Sequence, residues 1–244
     1  MSLDRLAQVA TTRAVFPYDD EIPLIREFFR DIRQGYFVEV GAHDPVKDSQ
    51  TLHLEQIGWT GILIEPQPDL AHKLHETRRA KVFAVACSSP ERAGQTGILH
   101  VAGAFSSFDE QLMVSGARAS HAIEVPLATL DEVLSEGGAP VNFDLLSVDV
   151  EGHEIEVLRG FDFLYWRPRL ILLEDHVVGL DKHRFLEAND YRLMRRTGLN
   201  AWYVPREHAW PLGWRERWDL FRKYRLGLRF RLLREAIRRR RHGA

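Results

Sequence analysis

The stretch from Tyr36 to Pro66, YFVEVGAHDPVKDSQTLHLEQIGWTGILIEP, constrains the fold more than any other part of this chain. Tyr36, Phe37, Val38 and Val40 make a short, mostly apolar run of β-formers that stops at Gly41. Such a run fits a strand buried on both faces of a parallel sheet. A polar turn comes next, His43 to Asp48, then a helical pattern carried by Leu52, Leu54 and Ile57 and closed by Gly58. A second apolar run, Gly61 to Ile64, ends at Glu65 and Pro66. The order predicts a strand–turn–helix–strand unit, the opening of a doubly wound α/β sheet that binds ligands at the carboxyl ends of its strands.

The charges at those ends select the ligand. A dinucleotide site wants a Gly-rich turn, so that backbone N–H groups meet a pyrophosphate. Here Glu39 and Asp44 flank the single Gly41 and would repel a phosphate. A ligand with an ammonium or sulfonium group and no phosphate suits them. Glu65 closes the second strand, where a carboxylate accepts hydrogen bonds from both ribose hydroxyls. A cationic nucleoside with a free ribose is S-adenosylmethionine. A third strand is expected over Lys81–Ala86, and Ala86 and Cys87 at its end become candidate neighbours of an adenine. Cys87 is the single cysteine, so an internal disulfide is ruled out and a reducing compartment is favoured. It also suits the plain role of a small buried hydrophobe.

A second cluster lies further on. Asn142 to Val150 reads as the fourth strand, with Asp149 at its end, followed by Glu151, His153 and Glu154 in a turn and helix start. Arg169 to Leu173 reads as the fifth, ending in Glu174, Asp175 and His176. Like charges this close cost free energy unless a cation or a shared proton relieves them, and such clusters point to acid–base or metal chemistry. Glu151 and Glu154 fit the ordinary role of helix N-terminal acids. Asp149, Glu174 and Asp175, on strand ends, read as functional. Two mechanisms stay open. In one, His153, His176 or Asp149 takes a proton from an acceptor hydroxyl. In the other, Asp149, Glu174 and Asp175 hold Mg²⁺, which lowers the pKa of the acceptor. Between these clusters, residues 90–135 interrupt the βα alternation with two strands, 96–103 and 122–130. The polar segment between them is the natural acceptor loop, with Ser106, Ser107 and Arg118 as hydrogen-bonding candidates.

The rest of the chain frames this core. Leu24, Ile25, Phe28, Phe29 and Ile32 predict a helix packed on the sheet, and Tyr191–Arg196 and Ala201–Val204 predict a closing hairpin. The expected organisation is a lead-in and helix over 1–35, a catalytic domain over 36–205 and a tail over 206–244. From Gly213 onward there are 12 Lys and Arg against 3 Asp and Glu, a net +9, while the remainder carries 21 against 32, a net −11. Trp214, Trp218, Phe221, Tyr224, Leu228 and Leu232 recur at spacings of three and four, among seven basic residues from Arg215 to Arg231, and RRRR fills 238–241. This basic amphipathic helix suits an anionic membrane surface, or docking on its own acidic domain or on a second subunit. Nucleic acid is disfavoured, because a phosphate grip needs no apolar stripe. With no membrane-length apolar run and no secretion signal, the expected location is cytoplasmic, peripheral at the inner membrane face if the tail binds lipid.

The pieces FVEVGAHDPVKDSQT, GWTGILIEPQP, AVACSS, VPLATLDEVL, DLLSVDVEGHEIEVLRGFDF and RPRLILLE, taken together, resemble the FkbM family of S-adenosylmethionine-dependent methyltransferases. The resemblance implies a seven-stranded, Rossmann-like methyltransferase sheet. It implies that Glu39, Gly41, Ala42, Glu65 and Pro66 line the cofactor site, with Ser49 and Thr51 near the methionine end; Asp44 and Asp149 are further cofactor-binding candidates. Members mostly methylate hydroxyl groups of sugars or natural products. The chain departs from many members in Glu39, where they carry Asp, and in its longer HDPVKDS turn. The expected function is O-methylation of a sugar hydroxyl in a glycan or glycolipid. The alternatives are a lipid or polyketide-like acceptor, or a non-catalytic membrane-associated module.

Overall fold

The computed structural model describes residues 21–108, 119–176, 179–208, 213–228 and 230. The strands are β1 (Tyr36–Val40), β2 (Thr60–Ile64), β3 (Lys81–Phe83), β4 (Ala86–Cys87), β5 (Thr96–Val101), β6 (His121–Ala128), β7 (Leu145–Val148), β8 (Leu170–Glu174), β9 (Tyr191–Thr197) and β10 (Asn200–Pro205). Seven form one sheet in the order β3-β2-β1-β7-β8-β10-β9. The first five run parallel, and β10 is antiparallel to both neighbours. This is the doubly wound sheet that the opening unit predicts.

The helices are α1 (Glu21–Phe28), α2 (Leu52–Glu55), α3 (Pro68–Thr77), α4 (Leu130–Gly137), α5 (Glu154–Arg159), α6 (Phe163–Trp166), α7 (Asp181–Ala188) and α8 (Trp214–Phe221). Val38, Val40, Ile62, Ile64, Leu146 and Ile171 bury one face of the sheet against α4–α7. Phe37, Leu63, Leu145, Leu172 and Trp202 bury the other against α1–α3 and Trp59. Burial on both faces explains why these strands read as continuous apolar runs rather than alternating ones. A capping box starts α4 directly after β6: Glu132 N–H donates to Thr129 Oγ1 at 3.1 Å, and Thr129 N–H to Glu132 Oε2 at 2.7 Å.

Two expectations about elements need correction. The third strand does not run unbroken from Lys81 to Ala86. It leaves the main sheet after Phe83, whose carbonyl accepts from Glu65 N–H at 3.0 Å, and Ala86–Cys87 then pairs parallel with Leu127 and Ala128. With the β5–β6 hairpin this makes a separate three-stranded sheet, β4-β6-β5. The C-terminal helix does not carry a single apolar stripe either. Arg222–Leu226 is a π turn, whose hydrogen bonds span one residue more than those of an α-helix. That turn underwinds the helix and rotates the residues beyond it. Tyr224 and Leu228 therefore join Leu220 against Leu180 and Leu193, while Trp218, Phe221 and Leu226 stay exposed. Leu232, Arg231 and the 238–241 run lie outside the described residues, as does Arg118.

A buried ionic knot stiffens the loop between β1 and α2. Glu39 accepts from Gln50 N–H at 3.0 Å, Ser49 Oγ at 3.4 Å and Thr51 Oγ1. Arg78, with its side chain fully buried, donates to Ser49 Oγ and Thr51 Oγ1 at 3.0 Å and pairs with Glu55 at 3.1 Å. Removing one member of such a buried set strands the other charge. Arg78→Ala is therefore expected to cost ~3–5 kcal/mol. Lys73→Ala, which breaks the part-exposed 2.7 Å pair with Asp44, should cost about 1 kcal/mol or less. Urea melts of both variants check the contrast, and equal losses would contradict it.

Candidate active site

The parallel register brings the strand ends level. Val40 pairs with both Ile64 and Val148, and Val148 with Leu173. The next residues, Gly41, Glu65, Asp149 and Glu174, consequently stand along one edge. The approach is tight: Gly41 has φ +85°, and a Cβ there would lie 1.8 Å from the Asp149 carbonyl oxygen. Only glycine serves at that position.

A cleft of about 550 Å³, its mouth included, opens above this edge. Gly41 and His43 from the β1 end, Glu65–Gln67 from the β2 end, and Ala86 and Cys87 from β4 form one wall. Asp149, Glu151 and His153 from the β7 end form another, and Leu99, Ser106 and Phe108 of the insert cover them. The insert is tied down by Ser107 Oγ, which donates to the Glu151 carbonyl at 2.8 Å.

Glu65 is almost wholly buried. His43 N–H donates to its Oε2 at 2.8 Å and Gln67 N–H to its Oε1 at 2.9 Å. Burial pushes its pKa up, and those two bonds oppose the rise. The Gln67 side chain adds a third hydrogen bond, and a carboxylate with about four acceptor sites still has capacity for a hydroxyl donor in the cleft. His153 is buried against Phe108, their rings 4.8 Å apart, with Nε2 3.1 Å from Ser88 Oγ. Burial and the Arg92 charge lower its pKa to about 4, so the ring is neutral at pH 7.

The second acid group centres on Glu174. Burial raises its pKa, but the hydrogen bond and charge of His176, the Lys182 charge and a hydrogen bond with Asp149 together hold it below the ordinary value. His176 Nε2 lies 3.2 Å from Glu174 Oε1 and is itself pushed up by that hydrogen bond. Lys182 Nζ reaches the Glu174 carbonyl at 2.9 Å and Glu154 at 2.6 Å. Glu151 sits opposite in a left-handed turn, φ +50°. Burial and the Glu174 charge push it up to about 7. A carboxyl poised at neutral pH, in a cleft, is matched to taking a proton from a hydroxyl.

The sequence-predicted residues thus separate into three places. Gly41, Glu65, Pro66, Ala86, Asp149 and His153 line the cleft. Glu39, Ala42, Ser49 and Thr51 lie beneath it, the three polar ones in the ionic knot. Asp44 is on its outer side, accepting from Lys73, Val46 N–H and Lys47 N–H. Asp175 is a correction. Successive strand residues point to opposite faces, and its carboxylate turns away from Glu174 to Arg196 at 3.3 Å and Tyr224 Oη at 3.0 Å. The trio Asp149, Glu174 and Asp175 therefore does not converge on a Mg²⁺ ion. Glu151, Glu174 and His176 do bring ligand atoms within 4.8 Å of one another. Their imidazole suits Mg²⁺ poorly, and His176 and Lys182 already offset the acids.

Glu151 is the functional candidate that sequence reasoning set aside as a helix-dipole acid. The signal was its place before Gly152, in a turn straight off a strand rather than inside the helix. Raising an acid's pKa on folding makes the native state hold the extra proton. Stability from this site is thus present below the ordinary 4.5 and lost as pH rises through about 7. Glu151→Gln should be more stable than wild type at pH 8, by ~1–2 kcal/mol after discounting for partial exposure. The gain should vanish near pH 4. Denaturant melts at both pH values check this, and a gain independent of pH would contradict it.

Comparison with known proteins gives two findings. The sequence model described as "Methyltransferase FkbM domain" matches residues 39–193. A crystal structure of methyltransferase FkbM from Methylobacillus flagellatus KT is similar at 14% identity and a TM-score of 0.45, covering 70% of this chain and 44% of that one. The chain thus spans less than half the length of that relative. A search of curated proteins finds no match. Since the matched region runs from the end of β1 into β9 and takes in more than half of the sequence, the chain belongs to the FkbM methyltransferase family.

Proposed function

We propose that this chain is an S-adenosylmethionine-dependent O-methyltransferase acting on a hydroxyl of a sugar in a glycan or glycolipid. The observation that carries the reading is Glu65, a buried carboxylate pinned by two backbone N–H groups where it lines the cleft. Such a group serves two ribose hydroxyls and repels a phosphate. Ala86 and Cys87 supply a small apolar wall for an adenine, and Gly41 and Asp149 leave room for the amino-acid end.

The donor supplies a sulfonium-bound methyl group that needs no activation. The protein's work is to orient the acceptor oxygen in line with that methyl and to accept its proton. Glu151 is the base. Its pKa near 7 leaves about half of it ionised at neutral pH, whereas His153, near 4, is a much weaker base. Glu174, paired with His176 and Lys182, keeps a negative charge beside Glu151 and so maintains its basicity. With the donor bound, Glu151 would take the acceptor's proton while the methyl group exchanges its bond to sulfur for one to the acceptor oxygen. Ser106 and Gln67, at the mouth, offer the neutral polar contacts that a polyol needs.

Product analysis with S-adenosylmethionine and a panel of sugars and glycolipids tests the reading. Glu65→Ala should weaken donor binding about 10- to 100-fold, the worth of one to two charge-assisted hydrogen bonds. Glu151→Gln should retain donor binding and lose turnover by about 10²–10⁴. Wild-type turnover should climb as pH rises through about 7, and EDTA should leave it unchanged. Full activity in Glu151→Gln, or S-adenosylhomocysteine released with no sugar acceptor at all, would overturn the assignment.

A further inference from the structure

We infer that the C-terminal helix is a two-faced clip that holds the domain on an anionic phospholipid surface. No helix among the described residues is long and apolar enough to cross a membrane. One face belongs to the domain. Leu220, Tyr224 and Leu228 pack on Leu180 and Leu193. Tyr224 Oη donates to Asp175 Oδ2 at 3.0 Å and accepts from Arg196 Nη1 at 3.1 Å. Arg196 binds the Asp175 carbonyl as well. The helix is thereby fixed to the residue directly after Glu174, at the same edge of the sheet as the cleft.

The other face looks outward. Trp218, Phe221, Leu226 and Phe230 are 56%, 47%, 48% and 71% exposed, and the Trp218 and Phe221 rings lie 5.7 Å apart. The π turn brings Leu226 onto the face of Trp218 and Phe221; an unbroken α-helix would rotate it away. Exposed Arg217 stands beside these rings. The segment from Gly213 onward is +9 in sequence, on a body of −11. An acidic body avoids an anionic surface, so binding is confined to this face and sets one orientation. Interfacial aromatics flanked by Arg and Lys suit the boundary between headgroups and acyl chains. Each basic residue near such a surface adds about 1 kcal/mol.

The test is co-sedimentation of the full chain with vesicles of phosphatidylglycerol and phosphatidylcholine in equal parts, against phosphatidylcholine alone. Binding should be at least about tenfold stronger to the anionic vesicles and should weaken as salt rises. Trp218→Ala with Phe221→Ala should lose it by about tenfold or more, as should Arg217→Glu, with thermal melting and donor affinity unchanged. Equal binding to both vesicles, no binding to either, or full binding by both variants would overturn the inference. So would a wild-type dimer in sedimentation that the aromatic variant abolishes, since the face would then belong to a second copy. None of these outcomes bears on the proposed methyl transfer, whose assigned residues line the cleft and are not on the helix.

Discussion

Parallel pairing in a single register sets the level of every group in the cleft. Because Val40 meets Ile64 and Val148, and Val148 meets Leu173, the chain leaves four strands at one height. It does so with a glycine, two carboxylic acids that face the cleft and a third that faces its neighbours. A shift of one residue in any strand would swap its side chains between faces. Glu65 would enter the apolar layer, or Asp149 would leave the cleft. The register is held by near-complete burial of both faces, which leaves the strands no alternative pairing without exposing Leu, Ile or Val.

On that edge, among the described residues, some acids are held by close partners, and one is left without a close cation. Burial raises the pKa of Glu39, and the Thr51 hydroxyl, the Arg78 charge, Gln50 N–H and the Ser49 hydroxyl oppose that rise. Its work is to fix the loop that shapes the β1 end. Asp175 is likewise consumed by Arg196 and Tyr224. Among the described residues Glu151 has no cation so close; His176 and Lys182 lower its pKa less than burial and Glu174 raise it. Its raised pKa and its left-handed backbone are both departures from what stability alone would choose, and such departures gather at functional sites.

The four central strands, β2, β1, β7 and β8, were legible because they are short, mostly apolar runs, each ended by Gly or an acid. Glu65 and Gly41 were legible because the turn chemistry of a doubly wound sheet assigns them. What escaped was decided by long-range packing. Nothing local tells Glu174 from Asp175, since the difference lies in which face of β8 meets Arg196 from β9 and Tyr224 from the tail. Nothing local raises Glu151, whose pKa depends on burial under an insert and on Glu174, 23 positions away in sequence. The break after Phe83 and the π turn at Arg222 also answer to partners, β6 in one case and Leu180 with Leu193 in the other. A 3.6-residue period could not anticipate a turn that is not α.

The proposed methyl transfer requires a cleft built for a cationic, phosphate-free nucleoside, and equilibrium binding reaches that proposal before any acceptor is known. Isothermal titration calorimetry of the purified chain against S-adenosylhomocysteine and, separately, NAD⁺ is the direct measurement. The cleft's chemistry predicts saturable one-to-one heat for the first and none for the second. Saturable binding of NAD⁺ with no heat from S-adenosylhomocysteine would contradict it.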